Sequence, residues 1–308
     1  MKIFYIILLL LLLLFILFII KLITLIMTQR SRITTVKRIE PIIILLDLDK
    51  TLIGNIKPQS IEYYIYTKIK EELIILNKPN SFNFDFKKLR RNLKTHIIRP
   101  YLDDFLNLIK KYNNIEIYIY TASDDNWAKT IIPQIEKVLN IKFNRPLFTR
   151  NHIIEKNKVF KKSMNIIKPI IFKKIKQKYH LDNINQLKNI MLFDDTKNVL
   201  LEQKYQINVP SYNYIYQEDF LKNIPLKIIK TYYIIIENII GLEHSTNVSG
   251  FKSKYHRYIS KMYENEDLNK NIRENDKYWM NIKNVFKNNI KNTSYDKLLI
   301  LMKSVKSV

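Results

Sequence analysis

Blocks of apolar and polar residues set out the elements of this chain before any chemistry is considered. Ile3 to Ile20 is unbroken apolar sequence, and after Lys21 the run resumes, interrupted by Thr24, through Met27. That length can span a bilayer, with Lys21 reaching back to the interface, and it predicts an uncleaved anchor over residues 1–29. A cleaved signal would have an apolar core of about 7–15 residues and a small-residue cleavage site; the first alanine here is Ala122. Arg30, Arg32, Lys37 and Arg38 follow, so residues 30–39 read as a basic tether. The positive-inside rule puts everything beyond it on the cytosolic side.

Further along, Pro41 to Leu46 is a continuous apolar run that stops abruptly at Asp47-Leu48-Asp49-Lys50-Thr51 and then Gly54. Such a run reads as a strand buried on both faces of a parallel sheet. Ile61, Tyr64, Ile65, Ile69 and Leu73 recur at helical spacing within 60–76. A helix is predicted over Tyr101–Tyr112 after Arg99-Pro100, and a strand over Ile115–Tyr120 ending at Thr121-Ala122-Ser123. Asp124 caps a further helix to Leu139 that Pro133 should kink. Lys162–Tyr179 is broadly helical with Pro169 as an interruption, and Asn189–Phe193 is a third short strand ending at Asp194-Asp195. Strand, helix, strand, helix and strand predict a doubly wound parallel α/β domain over 40–216. From 217 to 308 the pattern is helical only, as in Phe220–Ile240 and Asp267–Ile290, and predicts a basic accessory region.

Composition narrows the chemistry. The 308 residues hold no cysteine, which excludes disulfides, thiolate metal sites and a cysteine nucleophile. Three glycines, Gly54, Gly241 and Gly250, cannot build a Gly-rich phosphate loop. A net charge of +24 favours anionic partners such as phosphoproteins, nucleic acid or acidic lipid, although heavy use of Ile, Lys, Asn and Tyr looks like coding bias and dilutes that message.

Three predicted strands thus end in polar groups: Asp47, Asp49 and Thr51; Thr121 and Ser123; Asp194 and Asp195. In a parallel sheet these ends share one edge, where ligands bind. Clustered carboxylates repel one another and call for a cation. Hard oxygen donors without sulfur suit Mg2+. One aspartate held beside such a cation is a nucleophile toward phosphorus, and a second can shuttle the proton. Asp47 and Asp49 suit those roles. Thr121 can donate to the transferring oxygens, and a lysine after the second helix can supply charge.

These residues carry a resemblance. Asp47-Leu48-Asp49-Lys50-Thr51-Leu52 resembles the D-x-D-x-T motif of haloacid-dehalogenase-fold phosphotransferases. Arg99-Pro100-Tyr101-Leu102-Asp103-Asp104-Phe105-Leu106, Tyr120-Thr121-Ala122-Ser123, Leu147-Phe148-Thr149-Arg150, Phe160-Lys161-Lys162-Ser163-Met164 and Phe193-Asp194-Asp195-Thr196 resemble its branch of C-terminal-domain small phosphatases and NLI-interacting-factor-like proteins. An N-terminal anchor before such a domain is similar to the Dullard type. The resemblance covers Pro41 to Asn213 and implies a HAD-like phosphatase of phosphoserine or phosphothreonine in proteins. By it Asp47 is the nucleophile and Asp49 the general acid and base. Thr121, Ser123 and Lys162 bind the phosphoryl group, with Lys161 the neighbouring alternative and Lys168 behind both. Mg2+ is held by Asp47, the backbone carbonyl of Asp49 and Asp194, with Thr51 and Asp195 in support. Lys50 stands where acidic residues are common in the branch, and Thr196-Lys197 replaces serine-proline. Two other readings of the same motifs are a catalytically silent membrane tether and a nucleic-acid 3′-phosphatase; the anchor disfavours the second.

Overall fold

The computed structural model describes residues 13–25, 40–55, 57–75, 84–156, 159–216, 219–240, 242–263 and 266–305. At its centre, β1 (Ile42–Leu46) is buried at every position. It lies between β2 (Ile115–Ile119) and β5 (Ile190–Asp194), and β6 (Gln206–Asn208) completes a four-stranded parallel sheet in the order β2-β1-β5-β6. A strand with no polar position can be satisfied only between two layers. Ile42, Ile44 and Leu46 enter one core, while Ile43 and Leu45 enter the other. Each such side chain contributes about 1.5–3 kcal/mol when fully buried.

Register fixes where chemistry can occur. Leu46 pairs with Ile119 on one side and with Phe193 on the other. The residues that follow, Asp47, Tyr120 and Asp194, therefore emerge at one level of one edge. Main-chain bonds continue the ladder there, from Tyr120 N to Leu46 O at 2.9 Å and from Asp47 N to Phe193 O at 2.9 Å.

Helices cover both faces. On the first lie α3 (Phe86–Asn92, continuing as a π turn over Leu93–Ile97), α4 (Leu102–Ile109) and α5 (Asp125–Leu139); α6 (Met164–Ile175) lies on the second. Asp124 caps α5 through its carboxylate, which accepts from the backbone N–H of Asn126 and Trp127. The helix expected from Lys162 begins two residues later, capped by Ser163, so Lys162 is in extended chain. Pro169 does not interrupt α6. The buried stripe Met164, Ile167, Ile171 and Ile175 holds that helix to the sheet through the proline, at the cost of one missing donor.

Four elements have no counterpart in the sequence pattern. These are β6, the antiparallel pair β3 (Ile154–Lys156) and β4 (Val159–Lys161), and α3. The strands are three residues each, too short for alternation to register.

Beyond 217 the chain is helical and serves two places. Helices α7 (Leu226–Ile240) and α8 (Val248–Tyr263) make a small core with Ile65 of α2 (Lys57–Ile75), through Ile229, Ile236, Phe251, Tyr255 and Ile259. After α9 (Glu266–Asn275), helices α10 (Tyr278–Asn289) and α11 (Tyr295–Lys303) join the first sheet core. They insert Tyr278, Trp279, Ile282, Phe286, Leu298, Leu299 and Met302. The described residues from 219 to 305 therefore contribute to two separate cores.

Residues 13–25 form a helix, α1, whose apolar side chains, Phe15 and Phe18 among them, are exposed. The rest of the expected anchor, residues 1–12 and 26–29, and the tether at 30–39 lie outside the described residues. Among the described residues no helix is long and apolar enough to cross a membrane.

Candidate active site

Asp47 follows β1 directly and is buried, so its carboxylate faces the sheet edge rather than water. The Lys162 ammonium lies between two acids, 2.7 Å from Asp47 Oδ1 and 2.5 Å from Asp194 Oδ2. This lysine is 1% exposed. Its backbone is fixed by bridging to the 199–201 segment, donating to Val199 O and accepting from Leu201 N. Lys161 points elsewhere, donating to Asn198 O at the surface. Tyr120 shapes the other wall: its ring lies 5.3 Å from the Lys162 ammonium, and its hydroxyl accepts from Ser163 N at 2.9 Å.

One lysine does not balance the acids here. Carboxylate oxygens of Asp47, Asp194 and Asp195 all lie within 4.8 Å of one another. Burial holds the Asp47 carboxyl above the usual carboxylate range, to about 8, against the pull of Lys162 and with the added push of Asp194. Burial raises Asp195 too, with Ser211 drawing it back. An all-oxygen set short of positive charge fits a hard divalent cation.

Asp49 is apart from that trio. Its Oδ2 accepts the hydroxyl proton of Ser123, and burial raises its carboxyl while that bond lowers it. Ser123, expected on the phosphoryl oxygens, thus spends its proton on Asp49. Thr121 is buried, and its Oγ1 accepts from Ser123 N at 3.1 Å, which leaves the hydroxyl proton free to turn toward a ligand. Thr51 is a tie between loops, since its Oγ1 accepts from Asp195 N at 3.1 Å.

The first loop is strained where it turns. Lys50, between Asp49 and Thr51, has φ 58°, a left-handed conformation that side chains disfavour. Its carbonyl is held by Tyr212 N at 2.8 Å. Gly54 closes the loop for a steric reason, because a Cβ there would stand 2.6 Å from the Tyr214 carbonyl oxygen.

The family model for NLI interacting factor-like phosphatases matches residues 42–235, more than half of the chain. The chain belongs to that family. No curated protein matches it at a significant level. Among solved structures it is similar to the fission yeast RNA polymerase II CTD phosphatase Fcp1 bound to beryllium fluoride, at 14% identity and TM-score 0.41, over 84% of this chain and 65% of that one. A second Fcp1 structure matches at 13% identity and TM-score 0.33, over 88% and 72%. A putative β-phosphoglucomutase from Thermotoga maritima matches at 11% and 0.29, over 62% and 98%. The chain thus spans less than two thirds of the first of these.

Sequence reasoning missed what supports the site. Arg99, read as part of a motif, is wholly buried and pairs with Asp276 at 2.7 Å. Trp279 donates to Thr51 O at 3.3 Å. Neither partner carries a local signal, because each pairing closes a loop of well over a hundred residues.

Proposed function

We propose that this chain is a membrane-anchored, Mg2+-dependent phosphatase acting on phosphoserine or phosphothreonine in proteins. The observation that carries the reading is the convergence of Asp47 and Asp194 on the buried Lys162 ammonium, with Asp195 beside them and Asp49 held to one side by Ser123. In it an Asp47 oxygen attacks phosphorus and the bond from phosphorus to the substrate oxygen breaks. Asp49, kept protonated more readily by burial, gives its proton to that leaving oxygen. Asp49 then takes a proton from the water that attacks the aspartyl-phosphate, which releases inorganic phosphate and restores Asp47. Lys162 contributes fixed positive charge and Thr121 a hydrogen bond to the transferring oxygens. Ser123 orients Asp49 for both proton transfers. Asp47, Asp194 and the backbone carbonyl of Asp49 would hold Mg2+, assisted by Asp195, and the ion would offset charge on the transferring group.

Membrane attachment is the second half of the proposal. It is supported by the exposed apolar face of residues 13–25, the apolar residues before them and the basic residues at 30–38. Extraction of membranes from cells expressing the full chain tests it; retention in the pellet at alkaline pH is expected, and release into the supernatant removes it.

The catalytic test is phosphate release from a phosphoserine peptide by the full chain, with and without Mg2+. Turnover by the wild-type chain that requires Mg2+ and vanishes in Asp47→Asn is expected. Equal inactivity of the two proteins would end the proposal.

A further inference from the structure

The acids of the site are at two places on the sheet edge, the loop after β1 and the end of β5 with the loop it enters. Something must hold those loops at a fixed separation. Residues past the stretch matched by the family do so. Trp279, at the start of α10, is wholly buried. Its indole N–H donates to the main-chain carbonyl of Thr51 at 3.3 Å, and the Thr51 hydroxyl in turn accepts from Asp195 N. The same indole packs against Phe193, with ring centroids 5.4 Å apart, and stacks on Phe105 of α4 at 5.1 Å. Phe193 immediately precedes Asp194. One side chain therefore touches the loop bearing Asp47 and Asp49 and the strand end bearing Asp194 and Asp195.

Asp276, just ahead of the same helix, makes the second attachment. Its carboxylate accepts from Arg99 Nε at 2.7 Å, with both side chains buried. Arg99 Nη1 donates to Pro210 O at 2.8 Å, and the guanidinium lies against the rings of Tyr212 and Tyr278. Arg99 N donates to Leu52 O, beside Thr51. Arg273 of α9 adds bonds from Nη1 to the carbonyls of His96 and Ile98. Apolar contacts would suffice to bury a helix. An indole donor aimed at a main-chain carbonyl and a buried ion pair are directional, and they fix position as well as burial.

We infer that Trp279 and Asp276 are positioning residues that lock the 47–54 loop against the 194–195 loop, which makes the start of α10 part of the catalytic apparatus. The catalytic consequence rests on the phosphatase reading; the clamp on the loops does not. Neither side chain touches the carboxylates, so their loss should lower kcat and leave the substrate KM nearly unchanged. Small misplacements of reacting groups cost on the order of 10–100-fold in rate.

The experiment uses the full chain with Trp279→Phe, which keeps a ring and removes the donor, and Asp276→Asn, which keeps the shape and removes the charge. Ile282→Val, buried in the same helix, controls for loosened packing. Amide hydrogen exchange of residues 47–54 and 194–197 is measured without substrate, and Mg2+-dependent turnover of p-nitrophenyl phosphate alongside. Trp279→Phe should speed exchange in both loops roughly fivefold, the factor for one lost hydrogen bond, and lower kcat about tenfold at constant KM. Asp276→Asn should do the same to the 47–54 loop, and Ile282→Val neither. Unchanged exchange or unchanged kcat in both clamp variants of an active protein overturns the inference, as does an Ile282→Val chain that reproduces both effects. A wild-type chain without turnover, whose Trp279→Phe variant still loosens both loops, removes the phosphatase reading and supports the clamp. Absence of both effects removes the clamp as well.

Discussion

Both ends of the sheet bury acids, and they treat them differently. At the end where the strands begin, Glu116 of β2 meets three donors: Lys178 Nζ at 2.6 Å, Tyr179 OH at 2.7 Å and Asn144 Nδ2. One acid has a full complement of partners, and half-exposed Lys178 keeps contact with water. At the end where the strands finish, Asp47 and Asp194 share a single lysine that is sealed from solvent, and Asp195 lies beside them. Folding alone is served by the first arrangement. The second leaves carboxylate in excess, which costs stability unless a cation completes the site.

The sharpest break in that comparison is at the acids themselves. Asp47→Asn should lower turnover on the order of 10^3–10^6-fold, as loss of a nucleophile does, while Glu116→Gln should leave kcat within about twofold; steady-state phosphate release decides both. A smaller but still large contrast separates the two lysines. Lys162→Met leaves the buried acids Asp47 and Asp194 without their cation and should destabilise the metal-free protein by about 3–5 kcal/mol. Lys178→Met removes a partly solvated partner and should cost less than about 1 kcal/mol. Urea unfolding of each variant reads the difference directly.

Acidity supplies a third test. Asp47 is raised on folding from an ordinary value of 3.8 to about 8, so between those values the folded chain holds a proton that the unfolded chain has lost. The sign follows: this group's contribution is complete below its unfolded pKa and fades as pH climbs to about 8. Metal-free protein should therefore melt at lower temperature at pH 8 than at pH 5, and saturating Mg2+ should restore most of the loss. A metal-free melting temperature that rises over that interval would contradict the acid excess. A last contrast is between two glycines. Gly54→Ala forces a Cβ against the Tyr214 carbonyl and should cost about 1–3 kcal/mol. Gly250→Ala meets its nearest atom at 3.5 Å and, within α8, should stabilise by about 0.5–1 kcal/mol.

What was legible in the sequence followed from locality. The uninterrupted Ile42–Leu46 run and its stop at Asp47 report a doubly buried strand without help from elsewhere, and the same holds for Ile190–Phe193 before Asp194. Lys162 was legible only through the order of motifs, since nothing in its own neighbourhood separates it from Lys161; the bridge to the 199–201 segment turns one inward and leaves the other at the surface. The Ser123 bond to Asp49 joins residues 74 apart, and Trp279 reaches Thr51 across 228. Such pairings leave no period and no motif. They are decided by how α10 packs on α4 and the sheet, and that is a property of the whole core.

The most direct measurement is 19F NMR of the full chain with beryllofluoride, a mimic of a phosphoryl group on an aspartate. A bound signal that requires Mg2+, appears with the wild-type chain and is absent from Asp47→Asn is the expected result. No bound signal in the wild-type chain, or one that persists in Asp47→Asn, would contradict Asp47 as the phosphoryl acceptor.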